Sequence, residues 1–230
     1  MKILVFFSGS LRLDLYTLIH YIKEFKQNFE NTNYEITYLF ITDKSTPFMY
    51  CNYAHLKEEL SKHVNVIFIE KNMNLRVTTI NKYSTISLMY YKHIQNYINK
   101  TRSEFNYVIK MRNDAIIKID GISKYFNNNT YVAPRYWYCT NVKNTANDHL
   151  IIVPFSKFMN IDFSDENINK LAPLNYDTEN LTETMFLPDK PIDLNDILEY
   201  VLSGSLKFHI KNNIIISGTF DPYNSIAVLH

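Results

Sequence analysis

The stretch Tyr107-Val108-Ile109-Lys110-Met111-Arg112-Asn113-Asp114-Ala115-Ile116-Ile117-Lys118-Ile119-Asp120 decides how the chain reads. An apolar run ends abruptly at Arg112-Asn113-Asp114, and a second begins at Ala115. A short, nearly continuous apolar run is the pattern of a strand buried on both faces. A charged triplet between two such strands is costly unless it faces a cavity or a partner. In an α/β sheet, ligands bind outside the carboxyl ends of the strands. A functional site is therefore expected at Asp114.

The sequence before this stretch supports a sheet of that kind. Residues 2–7 are a first apolar run, bounded by Ser8-Gly9-Ser10. Leu15, Leu18, Ile19, Ile22, Phe25 and Phe29 recur at spacings of three and four, which is one stripe of a helix. Residues 34–42 read as a second strand ending at Thr42-Asp43. Residues 53–62 predict a helix, residues 64–69 a third strand, and residues 81–99 a helix carrying Ile86, Tyr90, Ile94, Tyr97 and Ile98. Strands alternating with helices predict an α/β fold with a mostly parallel sheet covered on both sides. The first half is thus expected to be a Rossmann-like nucleotide-binding unit.

The second half is less regular. Short strands are expected at 130–134, 150–153 and 214–216. Ser164 is placed to cap a helix over 165–171, Asp193 to cap a later amphipathic helix, and residues 173–191 to form a flap. No repeat or linker divides the chain, so a single domain over 1–230 is expected, with a first half (1–120) and a second half (121–230).

Composition narrows the classes further. Hydrophobic residues make up 46% and charged residues 20% of the chain, which is a globular balance rather than a disordered one. The formal net charge is +1 and the cations are scattered, so there is no nucleic-acid footprint. Cys51 and Cys139 make no metal spacing. The histidines show none either. No run approaches the ~18 apolar residues of a membrane span, and the N-terminal run is too short for a signal peptide. A cytoplasmic location is the expectation, in the host cytoplasm if the chain is viral.

Several residues carry candidate chemistry. Ser8, Gly9 and Arg12 are placed to meet an anion, through loop amides, the following helix N-terminus and a guanidinium; the alternative is an ordinary β–α turn. Asp43, at a strand end, is placed to meet a base or ribose, or is a solvated turn residue. Asp114 is suited to a hard cation such as Mn2+ or Mg2+, with Arg112 and Asn113 beside it; the alternative is an Arg112–Asp114 ion pair that braces the sheet. Asp148, with His149 beside it, is a candidate general base, or part of a turn. Trp137, between Tyr136 and Tyr138, offers a face for a sugar or simply packs.

Four segments together resemble GT-A-type glycosyltransferases of the kind found in bacterial polysaccharide loci and large DNA viruses. They are Phe7-Ser8-Gly9-Ser10-Leu11-Arg12; Phe105-Asn106-Tyr107-Val108-Ile109-Lys110-Met111-Arg112-Asn113-Asp114 after its helix; Asn147-Asp148-His149-Leu150 followed by Phe158-Met159; and the segment from Phe208 to Ile214. The resemblance implies a GT-A-like Rossmann-type α/β/α sandwich and transfer of a sugar from a nucleotide-diphosphate donor to a hydroxyl of a glycan or similar acceptor, with inversion expected. It implies that Arg112-Asn113-Asp114 is the counterpart of an Asp-x-Asp motif, with Asp114 meeting the diphosphate and a Mn2+ or Mg2+ ion. Arg112 stands where that motif has its first Asp, which leaves the metal requirement open. The base stays open between Asp148 and the late helix with Asp196 and Glu199. Two other readings remain: a non-catalytic nucleotide-sugar or glycan binding protein of the same fold, and a sugar-phosphate transferase.

Overall fold

The computed structural model describes residues 1–9, 11, 13–43, 53–69, 82–114, 116–119, 121–126, 150–166 and 226–229. The first apolar run is strand β1 (Lys2–Ser8) and the helical stripe is α1 (Leu15–Gln27). There follow β2 (Glu35–Asp43), α2 (Tyr53–Ser61), β3 (Asn65–Ile69), α3 (Lys82–Thr101) and β4 (Tyr107–Arg112). After β4 come β5 (Ile116–Ile119), a 3-10 turn (Ile122–Tyr125), β6 (Leu150–Pro154), the short helix α4 (Phe155–Asn160) and β7 (Ile226–Leu229).

Five strands form one sheet in the order β3-β2-β1-β4-β6. All neighbours are parallel except β4 and β6, which are antiparallel. The α/β fold with a mostly parallel sheet is therefore as the sequence predicts. Because strand side chains alternate, each strand feeds two cores. Leu4, Phe6, Leu39, Ile41, Val108, Ile151 and Val153 pack with Leu88, Tyr91, Ile94 and Ile98 of α3 and Phe158 of α4. Ile3, Val5, Phe7, Phe40, Ile109, Met111 and Ile152 pack with Leu18, Ile22 and Phe25 of α1 and Leu56 and Leu60 of α2. Helices thus cover both faces, which makes a Rossmann-type α/β/α sandwich.

The run that resumes after Asp114 does not join this sheet. β5 pairs antiparallel with β7 in a second, two-stranded sheet, Ile116 opposite Leu229 and Ile119 opposite Ile226. The strands expected at 130–134 and 214–216, the flap at 173–191, the late helix, Asp120 and both cysteines lie outside the described residues. Of the helix expected at 165–171, only residues 165 and 166 are described, and they are helical. Among the described residues, no helix is long and apolar enough to cross a membrane.

Candidate functional site

From β1 the sheet runs outward through β2 to β3, and β4 then pairs on the other side of β1. The strand order therefore reverses between β1 and β4, which makes a topological switch point, the ligand crevice of open α/β sheets. Ser8 registers with Arg112 across this point. Ser8-Gly9 and Arg112-Asn113-Asp114 are thus brought together, and Asp43 ends the neighbouring β2.

A polar stitch ties the three strand ends. The Gly9 carbonyl accepts from Thr42 Oγ1 at 2.9 Å and from Asn113 Nδ2 at 3.1 Å, while Asn113 N–H donates to the Ser8 carbonyl at 3.2 Å. Thr42, Ser8 and Asn113 are all buried. Gly9 has φ +145°, and a Cβ there would lie 2.6 Å from Asn113 Oδ1. Only glycine lets the chain turn here and receive the amide so closely. Asn113 therefore shapes the loop after β1. Thr42 is part of the same stitch, which sequence reasoning missed; its only signal was its place beside Asp43.

Asp43 is 3% exposed, so it is not the solvated turn residue that sequence offered as an alternative. The Tyr90 hydroxyl of α3 donates to Asp43 Oδ2 at 2.9 Å. Burial, and then the Asp43 charge, push the Tyr90 hydroxyl pKa far up, so it stays a donor at all working pH values. Burial and the same carboxylate also raise the Tyr53 hydroxyl pKa. Sequence reading placed Tyr90 on the helix stripe but could not pair it with a residue 47 positions away.

Arg112 and Asp114 form a bidentate ion pair. Arg112 Nε donates to Asp114 Oδ1 at 2.7 Å and Nη2 to Oδ2 at 2.6 Å. The two side chains are 22% and 13% exposed. Lys110, two residues earlier, is buried on the same face of β4. The resemblance implies Mn2+ or Mg2+ here, and hard cations bind carboxylate oxygens. Both Asp114 oxygens already accept from a guanidinium, and position 112 brings a cation rather than a second carboxylate. Among the described residues, Asp114 also joins no cluster of three His, Cys, Asp or Glu side chains with ligand atoms in reach of one ion. As arranged, these residues do not fit a divalent ion. One group that could hold a metal lies elsewhere, on α2. There His55, Glu58 and Glu59 bring one ligand atom each to within 4.8 Å of one another, although Glu59 also accepts from Lys62 at 2.6 Å. The i, i+3, i+4 spacing on one helix was the overlooked signal.

The helix N-terminus expected as part of an anion site is already capped. Asp14 Oδ1 accepts from the backbone N–H groups of Tyr16 and Thr17, and Asp14 Oδ2 accepts from the Thr17 hydroxyl. The Thr17 hydrogen bonds hold the Asp14 carboxyl below its usual pKa. The positive end of α1 thus meets a carboxylate of its own chain. The signal was an Asp directly before the first apolar stripe residue. Arg12, Trp137, Asp148 and His149 lie outside the described residues.

The class this architecture defines is the α/β/α sandwich with a mostly parallel sheet. Among solved structures, an active-site mutant of LgtC matches with a TM-score of 0.51 at 12% identity, covering 81% of this chain and 70% of that one. At that identity the likeness is one of fold. The glycosyltransferase GlyE of Streptococcus pneumoniae is 14% identical over 98% of this chain and 54% of its own, with a TM-score of 0.40, too loose an overlap to bear on the fold. No protein-family model matches the sequence, and no curated protein sequence does.

Proposed function

We propose that the chain is a glycosyltransferase that moves a sugar from a nucleotide-diphosphate donor to a hydroxyl of a glycan or similar acceptor. The observation that carries this reading is the switch point between β1 and β4, where Ser8-Gly9 meets Arg112-Asn113-Asp114 in a fold shared with LgtC. The chain would act as one domain, its first 120 residues serving the donor and the rest the acceptor. Asp43 would meet the base or ribose, while Ser8, Gly9 and Arg12 would line the donor site. Arg112, Asn113 and Asp114 would sit at the diphosphate, Trp137 would stack on a sugar, and His149 would hydrogen-bond beside the base.

In the proposed step, the acceptor oxygen bonds to the anomeric carbon as the bond from that carbon to the diphosphate oxygen breaks. The diphosphate leaves with the electron pair, and the acceptor proton goes to Asp148. A general base of this kind contributes roughly 10²–10⁴-fold. A second reading, a binding protein of the same fold without turnover, is favoured by the closed Arg112–Asp114 pair.

The test is incubation with a panel of UDP-, GDP- and dTDP-sugars and hydroxyl acceptors. Transfer or donor hydrolysis that disappears in Asp114→Ala and falls at least about tenfold in Asp148→Ala supports the proposal. Donor binding with no turnover under any acceptor supports the second reading. Transfer of the β-phosphate with the sugar would instead mark a sugar-phosphate transferase.

A further inference from the structure

We infer that the strand-end site binds its nucleoside diphosphate through the Arg112 guanidinium, with no divalent cation between protein and phosphates. This rests on the nucleotide-diphosphate reading above, and it holds for an enzyme or a binding protein alike.

A diphosphate needs positive charge opposite it. A metal site supplies that charge through carboxylates that hold the ion. Here the carboxylate is committed: both Asp114 oxygens accept from Arg112, in a pair with side chains only 22% and 13% exposed. A divalent ion could reach Asp114 only by displacing that guanidinium. It would then sit beside a partly buried cation, and like charges repel strongly away from bulk water. Among the described residues, the other carboxylate at the switch point, Asp43, accepts from Tyr90 and ends a different strand. The described residues thus bring a guanidinium to the place where a metal would otherwise be held.

The pair also explains why the cation would be arginine. Asp114 holds the guanidinium plane through two parallel bonds, and a plane fixed at one edge is fixed everywhere. Planar, forked donors match phosphate oxygens in a way a lysine ammonium does not. Asp114 then acts as a positioning residue for Arg112. Asn113, between them, is locked to Gly9 and Ser8 and fixes the backbone from which both side chains project.

The experiment is isothermal titration calorimetry of the full chain with UDP, GDP, dTDP, CDP and ADP, in excess EDTA and in Mn2+. The inference expects at least one nucleoside diphosphate to bind in EDTA at least as tightly as in Mn2+, which complexes the free diphosphate. Arg112→Gln should weaken that binding roughly ten- to hundredfold in both buffers, the range of a lost charge-assisted contact. Arg112→Lys keeps the charge and loses the fork, so it should fall between Arg112→Gln and the unaltered protein. Binding that vanishes in EDTA and returns with Mn2+ overturns the inference and leaves the proposed function standing. Equal affinity in Arg112→Gln and the unaltered protein also overturns it. No binding of any nucleoside diphosphate in either buffer overturns the inference together with the donor reading. The comparison of EDTA with Mn2+ needs no variant, so it decides the question even if Arg112→Gln does not fold.

Discussion

Gly9→Ala is the sharpest perturbation of the switch point, because one methyl group meets two independent obstacles. The first is the backbone: φ is +145° at Gly9, and forcing an L-residue into positive φ costs roughly 1–2 kcal/mol. The second is steric. The new Cβ would lie 2.6 Å from Asn113 Oδ1 and 3.2 Å from its Cγ. Asn113 is 3% exposed and has little room to swing aside. Moving it forfeits the hydrogen bond from its Nδ2 to the Gly9 carbonyl, worth about 1 kcal/mol and more if the amide is left unsatisfied. Together the two terms give about 2–4 kcal/mol of destabilisation. For a chain of this length, that lowers the thermal midpoint by roughly 4–16 °C. Urea unfolding followed by far-UV circular dichroism should show a lower midpoint at unchanged slope. Asn113→Ala provides the cross-check. In that background the clash is gone, so Gly9→Ala should cost only its backbone term of about 1–2 kcal/mol. The double variant should therefore be less destabilised than the sum of the single ones, by at least about 0.5 kcal/mol. A Gly9→Ala protein within about 0.5 kcal/mol of the unaltered one, or full additivity with Asn113→Ala, would refute the stitch as described.

Three further outcomes follow from single side chains. Tyr90→Phe removes the donor to Asp43 Oδ2 and should cost about 1–3 kcal/mol in urea unfolding, the range for leaving a buried acceptor short of a partner; a neutral result would mean that this bond does not hold Asp43. The Tyr107 hydroxyl is buried with no hydrogen-bond partner among the described residues, so Tyr107→Phe should be neutral or stabilising by up to about 1 kcal/mol, and a clear loss in the same measurement would reveal a partner. Burial, and then Lys92, hold the half-buried His93 imidazole below its usual pKa of 6.5, with Asp165 opposing them. The unfolded chain then binds more protons near and below that pH. Stability is full above it and is lost as pH falls through the folded value, and unfolding of His93→Gln across that window should show a shallower loss.

The strands of the first half were legible because each packs apolar side chains on both faces. Residues 2–7, 34–42 and 64–69 read as apolar runs, and the observed strands differ from them by a residue or so at either end. The helix stripe from Leu15 to Phe25 was equally plain. What sequence could not supply was direction and pairing. Leu150–Pro154 is as apolar as β1, yet it runs antiparallel to β4, and a run that is apolar throughout carries no mark of its direction. Ile116–Ile119 read as a strand, but its partner lies more than a hundred residues later. At the site, Arg112-Asn113-Asp114 stood out because polar groups there break an apolar pattern. The Tyr90–Asp43 bond, the Thr42–Gly9–Asn113 stitch and the Asp14 cap did not, because each depends on where the chain returns in space. Asp14 was the exception that local rules could have caught.

The pairing of β5 with β7 bears on how the chain is made. All five strands of the main sheet have been synthesised once Pro154 is out, but β7 begins only at Ile226. Residues 155–225 must be translated in between, which takes on the order of 4–14 s at the usual 5–20 residues per second. During that interval β5 follows Asp114 as a strand without its mate, an exposed edge open to pairing with a neighbouring nascent chain. A ribosome that stalls between these points would leave a chain with its main sheet complete and the edge beside Asp114 uncovered.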